Sequence, residues 1–95
     1  MPAYMIADIH VTDPVRYEEY KRLAAPSVAA YGGRYIVRGG PAEKLEGAGE
    51  ISRIVVLEFP SMERARAWWS SAEYEPAKAL RHECATAEML LVEGM

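Results

Sequence analysis

Four short stretches of this chain alternate residue by residue, and their order among two helical stretches leaves few folds open. Residues 3–12, Ala-Tyr-Met-Ile-Ala-Asp-Ile-His-Val-Thr, set Met5, Ala7, Ile9 and Val11 on one side of a strand and Tyr4, Ile6, Asp8 and His10 on the other. Arg34 to Arg38 sets Tyr35 and Val37 against Arg34, Ile36 and Arg38. Ser52 to Phe59 sets Val55, Leu57 and Phe59 against Ser52, Ile54, Val56 and Glu58, and Thr86 to Glu93 closes the chain as a fourth strand. In the first three, one side is apolar and the other mixed, so each strand is expected to meet two different environments.

Between the first two strands, Thr12-Asp13-Pro14 is a helix start: Asp13 accepts from free amide hydrogens, and the missing N–H of Pro14 is not needed in a first turn. Tyr17, Tyr20, Ala24, Val28 and Tyr31 then recur at steps of three and four, opposite Arg16, Glu18, Glu19 and Arg22. Pro26 is expected to kink or divide this helix near Ala25. Gly32 is the expected left-handed stop.

After the third strand, Ser61 caps a second helix with Met62, Ala65, Trp68, Trp69 and Ala72 inward. Ser70 and Ser71 cap a further helical segment, Glu73 to about Cys84, in which Tyr74, Ala77, Leu80, Arg81 and Cys84 share a face. Glycine pairs bracket the second strand, but the order is helix, glycines, strand, glycines, whereas a phosphate cradle needs strand, glycines, helix. Gly39 to Glu50 reads as a long hairpin loop with Leu45 its one bulky apolar anchor.

Strand, helix, strand, strand, helix, strand is the split βαβ order, in which right-handed crossovers place both helices on one face of an antiparallel sheet. The resulting α+β domain leaves the other face open, with Tyr4, Ile6, Ile36, Ile54, Val56, Leu90 and Val92 on it. Covering that face contributes on the order of 10 kcal/mol at most. A homodimer with sheets face to face is therefore expected, since 95 residues bury only a modest core on their own.

A formal net charge of −3, with arginines scattered among acids, argues against nucleic acid as a partner. No apolar run approaches a bilayer span, and no charged region precedes an apolar signal core, so a cytoplasmic, membrane-free location is expected. The single Cys84 fits a reducing compartment and reads as a buried, inert thiol.

Together, Thr-Asp-Pro with Tyr17 and Tyr20, Tyr-Gly-Gly-Arg, Val37-Arg38-Gly39-Gly40, Glu58-Phe59-Pro60-Ser61, Ala67-Trp68, Ser71 with Tyr74, and Leu80-Arg81 resemble the domain of unknown function 1330 family over nearly the whole chain. The resemblance implies a single ferredoxin-like domain, a four-stranded antiparallel sheet with helices on one face, of the dimeric α/β-barrel superfamily. That superfamily includes small cofactor-free monooxygenases, isomerases, haem-degrading enzymes and stress-response proteins. Trp69 stands where the family pattern leads one to expect tyrosine.

Two groups of residues carry the candidate chemistry. His10, Arg38 and Ser52 are expected to share an edge and a face, with Asp8 one step inward: His10 and Asp8 for proton transfer, Arg38 and Ser52 to hold an anionic or carbonyl-bearing ligand. The plainer reading makes Arg38 a dimer contact and His10 a partly exposed strand residue. On the helical side, Trp69, Tyr74 and Arg81, with Trp68, either line an aromatic ligand site or simply pack the core. Adjacent tryptophans cannot both point inward, so one borders a surface or groove. Glu58 is expected to pair with Arg34 across the sheet. No cofactor is expected, and no metal, because His10, Asp8, Glu58 and His82 lack ligand spacing. Two functions stand: a cofactor-free enzyme acting on a small aromatic or carbonyl compound, and a non-catalytic, metabolite-binding or stress-associated dimer.

Overall fold

The computed structural model describes residues 1–95. In chain order it contains β1 (Ala3–Val11), α1 (Pro14–Ala30), β2 (Arg34–Arg38), β3 (Arg53–Phe59), α2 (Met62–Trp69), α3 (Glu75–Cys84) and β4 (Ala85–Glu93). The strands lie in the order β2-β3-β1-β4 with every neighbouring pair antiparallel. The split βαβ order is thus realised, and Met5, Ala7, Ile9, Val55, Leu57 and Phe59 are buried beneath the helices.

Helix boundaries follow local chemistry. Asp13 Oδ1 accepts from the Arg16 amide at 3.2 Å, and Ser61 Oγ accepts from the Arg64 amide at 3.1 Å, each satisfying a donor that the first turn leaves free. Pro26 does not divide α1, which runs unbroken to Ala30. Both Pro26 and Arg22, whose carbonyl loses its partner, lie on the exposed side, where water takes over that hydrogen bond. The helix ends in a Schellman motif: Gly32 (φ +77°) donates to Ala29 O and Gly33 donates to Val28 O. Gly33 has no room for a side chain, because a Cβ would press on Phe59 and Val28.

The largest fully buried side chains are Trp68, Tyr74 and Phe59. Trp68 stacks 4.1 Å from Tyr74 and 5.4 Å from Phe59, and its Nε1 donates to Ser27 Oγ at 3.1 Å. Ser71 joins α2 to α3 by donating to Trp68 O and accepting from the Tyr74 amide. Ala72, expected inward, is exposed because α2 ends at Trp69. Cys84 is buried, and burial pushes its thiol pKa up, as an inert thiol requires.

One departure changes the candidate site. Tyr35 pairs with Leu57 but Val37 with Val56, so Ile36 is an extra residue, a β-bulge. Strict alternation stops there, and every side chain beyond it changes face. Val37, expected against the helices, lies on the open face at 39 % exposure. Arg38 pairs with Val55 and stands on the helix side, not beside His10. Leu45 anchors nothing, being 90 % exposed in the β2–β3 loop.

That loop opens on Gly39, whose φ of +71° is costly for any other residue and whose missing side chain leaves space for the Arg53 guanidinium. Gly39→Ala is expected to lower stability by about 1–2 kcal/mol, read from the urea midpoint, and to push Arg53 aside.

Candidate functional site

Three hollows hold the polar chemistry. The first lies on the open face, about 250 Å³ in volume, among Asp8, His10, Glu50, Ser52, Thr86 and Glu88. Asp8 Oδ1 accepts from the Ser52 amide at 2.9 Å, and Ser52 Oγ lies 3.5 Å from His10 Nδ1. The expected neighbourhood of Asp8, His10 and Ser52 therefore forms, but the bulge has removed Arg38 from it. Three carboxylates and no arginine line this hollow, which makes it a poor host for an anion.

At the far end of the same face, Arg34 Nε donates to Glu58 Oε1 at 2.7 Å, the expected cross-strand pair. This contact, seconded by a hydrogen bond from Tyr4, holds the Glu58 carboxyl below its usual range.

The second hollow is a cavity of about 20 Å³ between sheet and helices, lined by Tyr17, Tyr20, Lys21, Tyr35, Arg38, Arg53, Trp68 and apolar core residues. Arg38 stacks 4.2 Å over the Tyr35 ring, and Arg53 lies 5.7 Å from the Tyr17 ring. Burial raises the pKa of Tyr17, Tyr20 and Tyr35, so all three are neutral donors at physiological pH.

The third is a groove along the β4 edge on the helix side. Trp69 and Met89 belong to both its halves, of about 450 and 520 Å³. One half adds Met5, Arg66, Ser70, Leu90 and Leu91; the other adds Arg81, His82, Ala85, Thr86 and Ala87. No acidic side chain lines either. Of the two tryptophans, Trp68 is sealed in the core and Trp69 is half-buried here, as two adjacent rings on one helix require. Lys78 Nζ sits 4.4 Å and the Arg81 guanidinium 6.0 Å from the Trp69 ring centre.

Arg81 is the unusual member. It is 3 % exposed, yet none of the protein's ion pairs includes it; its Nε donates only to Tyr74 Oη, at 3.4 Å. A buried guanidinium without a carboxylate is costly and leaves positive charge directed at whatever enters the groove. Tyr74, fully buried, supports Arg81 from behind and does not reach the groove. The Trp69, Tyr74 and Arg81 cluster is thus partly core and partly groove wall.

A family model described as "Domain of unknown function (DUF1330)" matches residues 2–95. The chain belongs to this family. Its motif residues already have structural duties: Asp13 and Pro14 start α1, Gly32 and Gly33 end it, Ser61 caps α2, and Tyr74 holds Arg81. Ser70 and Ser71 do not cap a segment from Glu73: Ser71 accepts from the Tyr74 amide in the connecting turn, and α3 begins two residues later at Glu75, behind Tyr74 and without a side-chain cap.

Solved structures share the fold of this DUF1330 chain at low identity. A protein of unknown function from Rhodopseudomonas palustris, RPA0582, aligns with a TM-score of 0.80 and 17 % identity, covering 99 % of this chain and 82 % of that one. A dimeric ferredoxin-like protein of unknown function from Jannaschia sp. CCS1 gives a TM-score of 0.73 and 13 % identity, over 99 % of this chain and 100 % of that one. SnoaB, a cofactor-independent oxygenase from Streptomyces nogalater, gives 0.71 and 14 %, over 99 % and 93 %. The architecture is ferredoxin-like. No curated protein matches the chain. No helix is long and apolar enough to cross a membrane.

Sequence reasoning overlooked Arg53, Tyr35 and the cavity-lining role of Tyr17 and Tyr20. Carrying the alternation of Val55, Leu57 and Phe59 one step back places Arg53 on the helix-covered face, where an arginine stands out.

Proposed function

We propose that this DUF1330 chain works as a homodimer that binds a small aromatic or carbonyl-bearing anion in the groove beside Trp69 and converts it without a cofactor. The observation that carries this reading is Arg81: buried, free of any carboxylate, and facing a groove whose wall is an indole ring. An aromatic ligand would stack on Trp69 while its carboxylate, phenolate or enolate oxygen takes up the guanidinium hydrogens. Pairing in this half-enclosed place favours the ionised ligand, and His82 on the same wall is placed to accept the proton. With dioxygen as co-reactant, an activated CH₂ group would become C=O with release of one water, as cofactor-free oxygenation requires. The SnoaB likeness supports that class of step through the fold alone.

The dimer rests on the open face, where Val37, Leu90 and Val92 join Ile6, Ile54 and Val56, and on the dimeric state of the Jannaschia relative. Two sheets packed on this face would enclose Asp8, His10 and Ser52 between subunits, so in this reading they serve the interface rather than the groove. A second reading, binding without turnover, draws support from the groove's lack of any carboxylate base. Dissolved-oxygen uptake with a panel of phenols, naphthols and aromatic carboxylates separates the two. Consumption that stops in Arg81→Met supports the enzyme; binding without consumption supports the second reading.

A further inference from the structure

The inner cavity has an excess of hydrogen-bond donors that neither the core nor the groove uses. Tyr20 Oη and Tyr74 Oη lie 3.0 Å apart, and Arg81 Nε donates to Tyr74. If Tyr20 donated to Tyr74, the Tyr74 hydrogen would have no acceptor in a residue with no exposed surface, which costs the desolvation of that group. The favoured order is therefore Arg81 to Tyr74, Tyr74 to Tyr20, and Tyr20 into the cavity that it lines. Among the other residues that line the cavity, Arg53 has its Nε buried without any partner, the one buried side-chain nitrogen or oxygen in the protein so left. Arg38 and Lys21 add positive charge, and no carboxylate lines the space. A volume of about 20 Å³ excludes an aromatic ligand but accommodates a particle of one water's size or slightly more.

A hydroxyl and a guanidinium with hydrogen to spare, surplus positive charge and the lack of an acidic side chain together specify the occupant. We propose that the cavity between Tyr20 and Arg53 is a binding site for one small monovalent anion, of the size of a halide or formate. This site is distinct from the groove beside Trp69, and its existence does not depend on the function proposed there. The Tyr20–Tyr74–Arg81 chain joins the two, so occupancy of one is expected to bias the other.

Crystals of the unaltered protein soaked in sodium bromide test the site by anomalous scattering, alongside thermal melts in formate, bromide and sulfate at matched ionic strength. The expected result is a bromide peak in hydrogen-bonding reach of Arg53 Nε, with melting raised by formate and bromide but not by the larger sulfate. Arg53→Met and Tyr20→Phe are each expected to weaken the bromide dependence by about tenfold. Tyr20→Phe keeps the ring that packs the core, and the unaltered protein alone decides the matter if Arg53→Met fails to fold. Water in the cavity at high bromide, or a bromide peak with identical melts in all three salts, would overturn the proposal.

Discussion

Trp68→Ala is expected to destabilise the protein by about 3–5 kcal/mol and to leave much of it unfolded at physiological temperature. The indole is 1 % exposed and fills the space between Phe59, Tyr74 and α1, so its removal opens a cavity where three elements meet. A chain of 95 residues has few other buried rings to redistribute into that gap. Trp68→Phe keeps part of the stacking, loses the bond to Ser27 and is expected to cost less than half as much. Urea unfolding followed by far-UV circular dichroism measures both. By contrast, Trp69→Ala removes a half-buried ring from the groove wall, so its main effect should fall on ligand binding.

The second large effect belongs to the open sheet face. Val56 sits in its middle, paired with Ile6 on β1 and Val37 on β2. Val56→Asp places a carboxylate where two apolar sheets are proposed to meet, and an unpaired charge buried in such an interface costs several kcal/mol. Light scattering is expected to move from twice the chain mass to 10.6 kDa, with a lower melting temperature. A variant that remains dimeric with an unchanged melt would place the interface elsewhere.

Much of this molecule was legible because its strands and helices obey their periods. Met5, Ala7 and Ile9, or Tyr17, Tyr20, Ala24 and Val28, announce a buried face by spacing alone, and Asp13, Gly32 and Ser61 mark boundaries by chemistry that any first or last turn demands. The Arg34–Glu58 pair followed from the same counting. What counting missed was a single inserted residue. Nothing in Tyr-Ile-Val marks Ile36 as a bulge, since all three residues suit a regular strand, and the extra residue becomes visible only when β2 is paired with β3. From that slip followed the placement of Arg38 beside His10, when in fact Arg38 joins Arg53 on the helix side. The cavity between them was hidden for a related reason: it is assembled from β1, α1, β2, β3, α2 and β4, and no local pattern records such a meeting. Arg81 could be placed on the right face by its spacing from Tyr74 and Ala77, but its lack of a carboxylate partner depends on which residues of other elements the fold brings near it.

Ligand recognition in the groove turns on that unpartnered guanidinium. Replacing a buried, unpaired charge by an apolar side chain of similar length leaves stability unchanged or raises it, so Arg81→Met is expected to fold at least as well as the unaltered protein. Its ligand binding should fail all the same. Trp69 lies in the groove with Arg81 6.0 Å from its ring centre, so tryptophan fluorescence titrated with an aromatic carboxylate such as 1-hydroxy-2-naphthoate reads occupancy directly. The expected result is saturable binding to the unaltered protein and affinity lower by about 10–100-fold in Arg81→Met, the loss of one charge-assisted contact, with the melting temperature equal or higher. Equal affinity in the two proteins would contradict the assignment of the groove as an anion site.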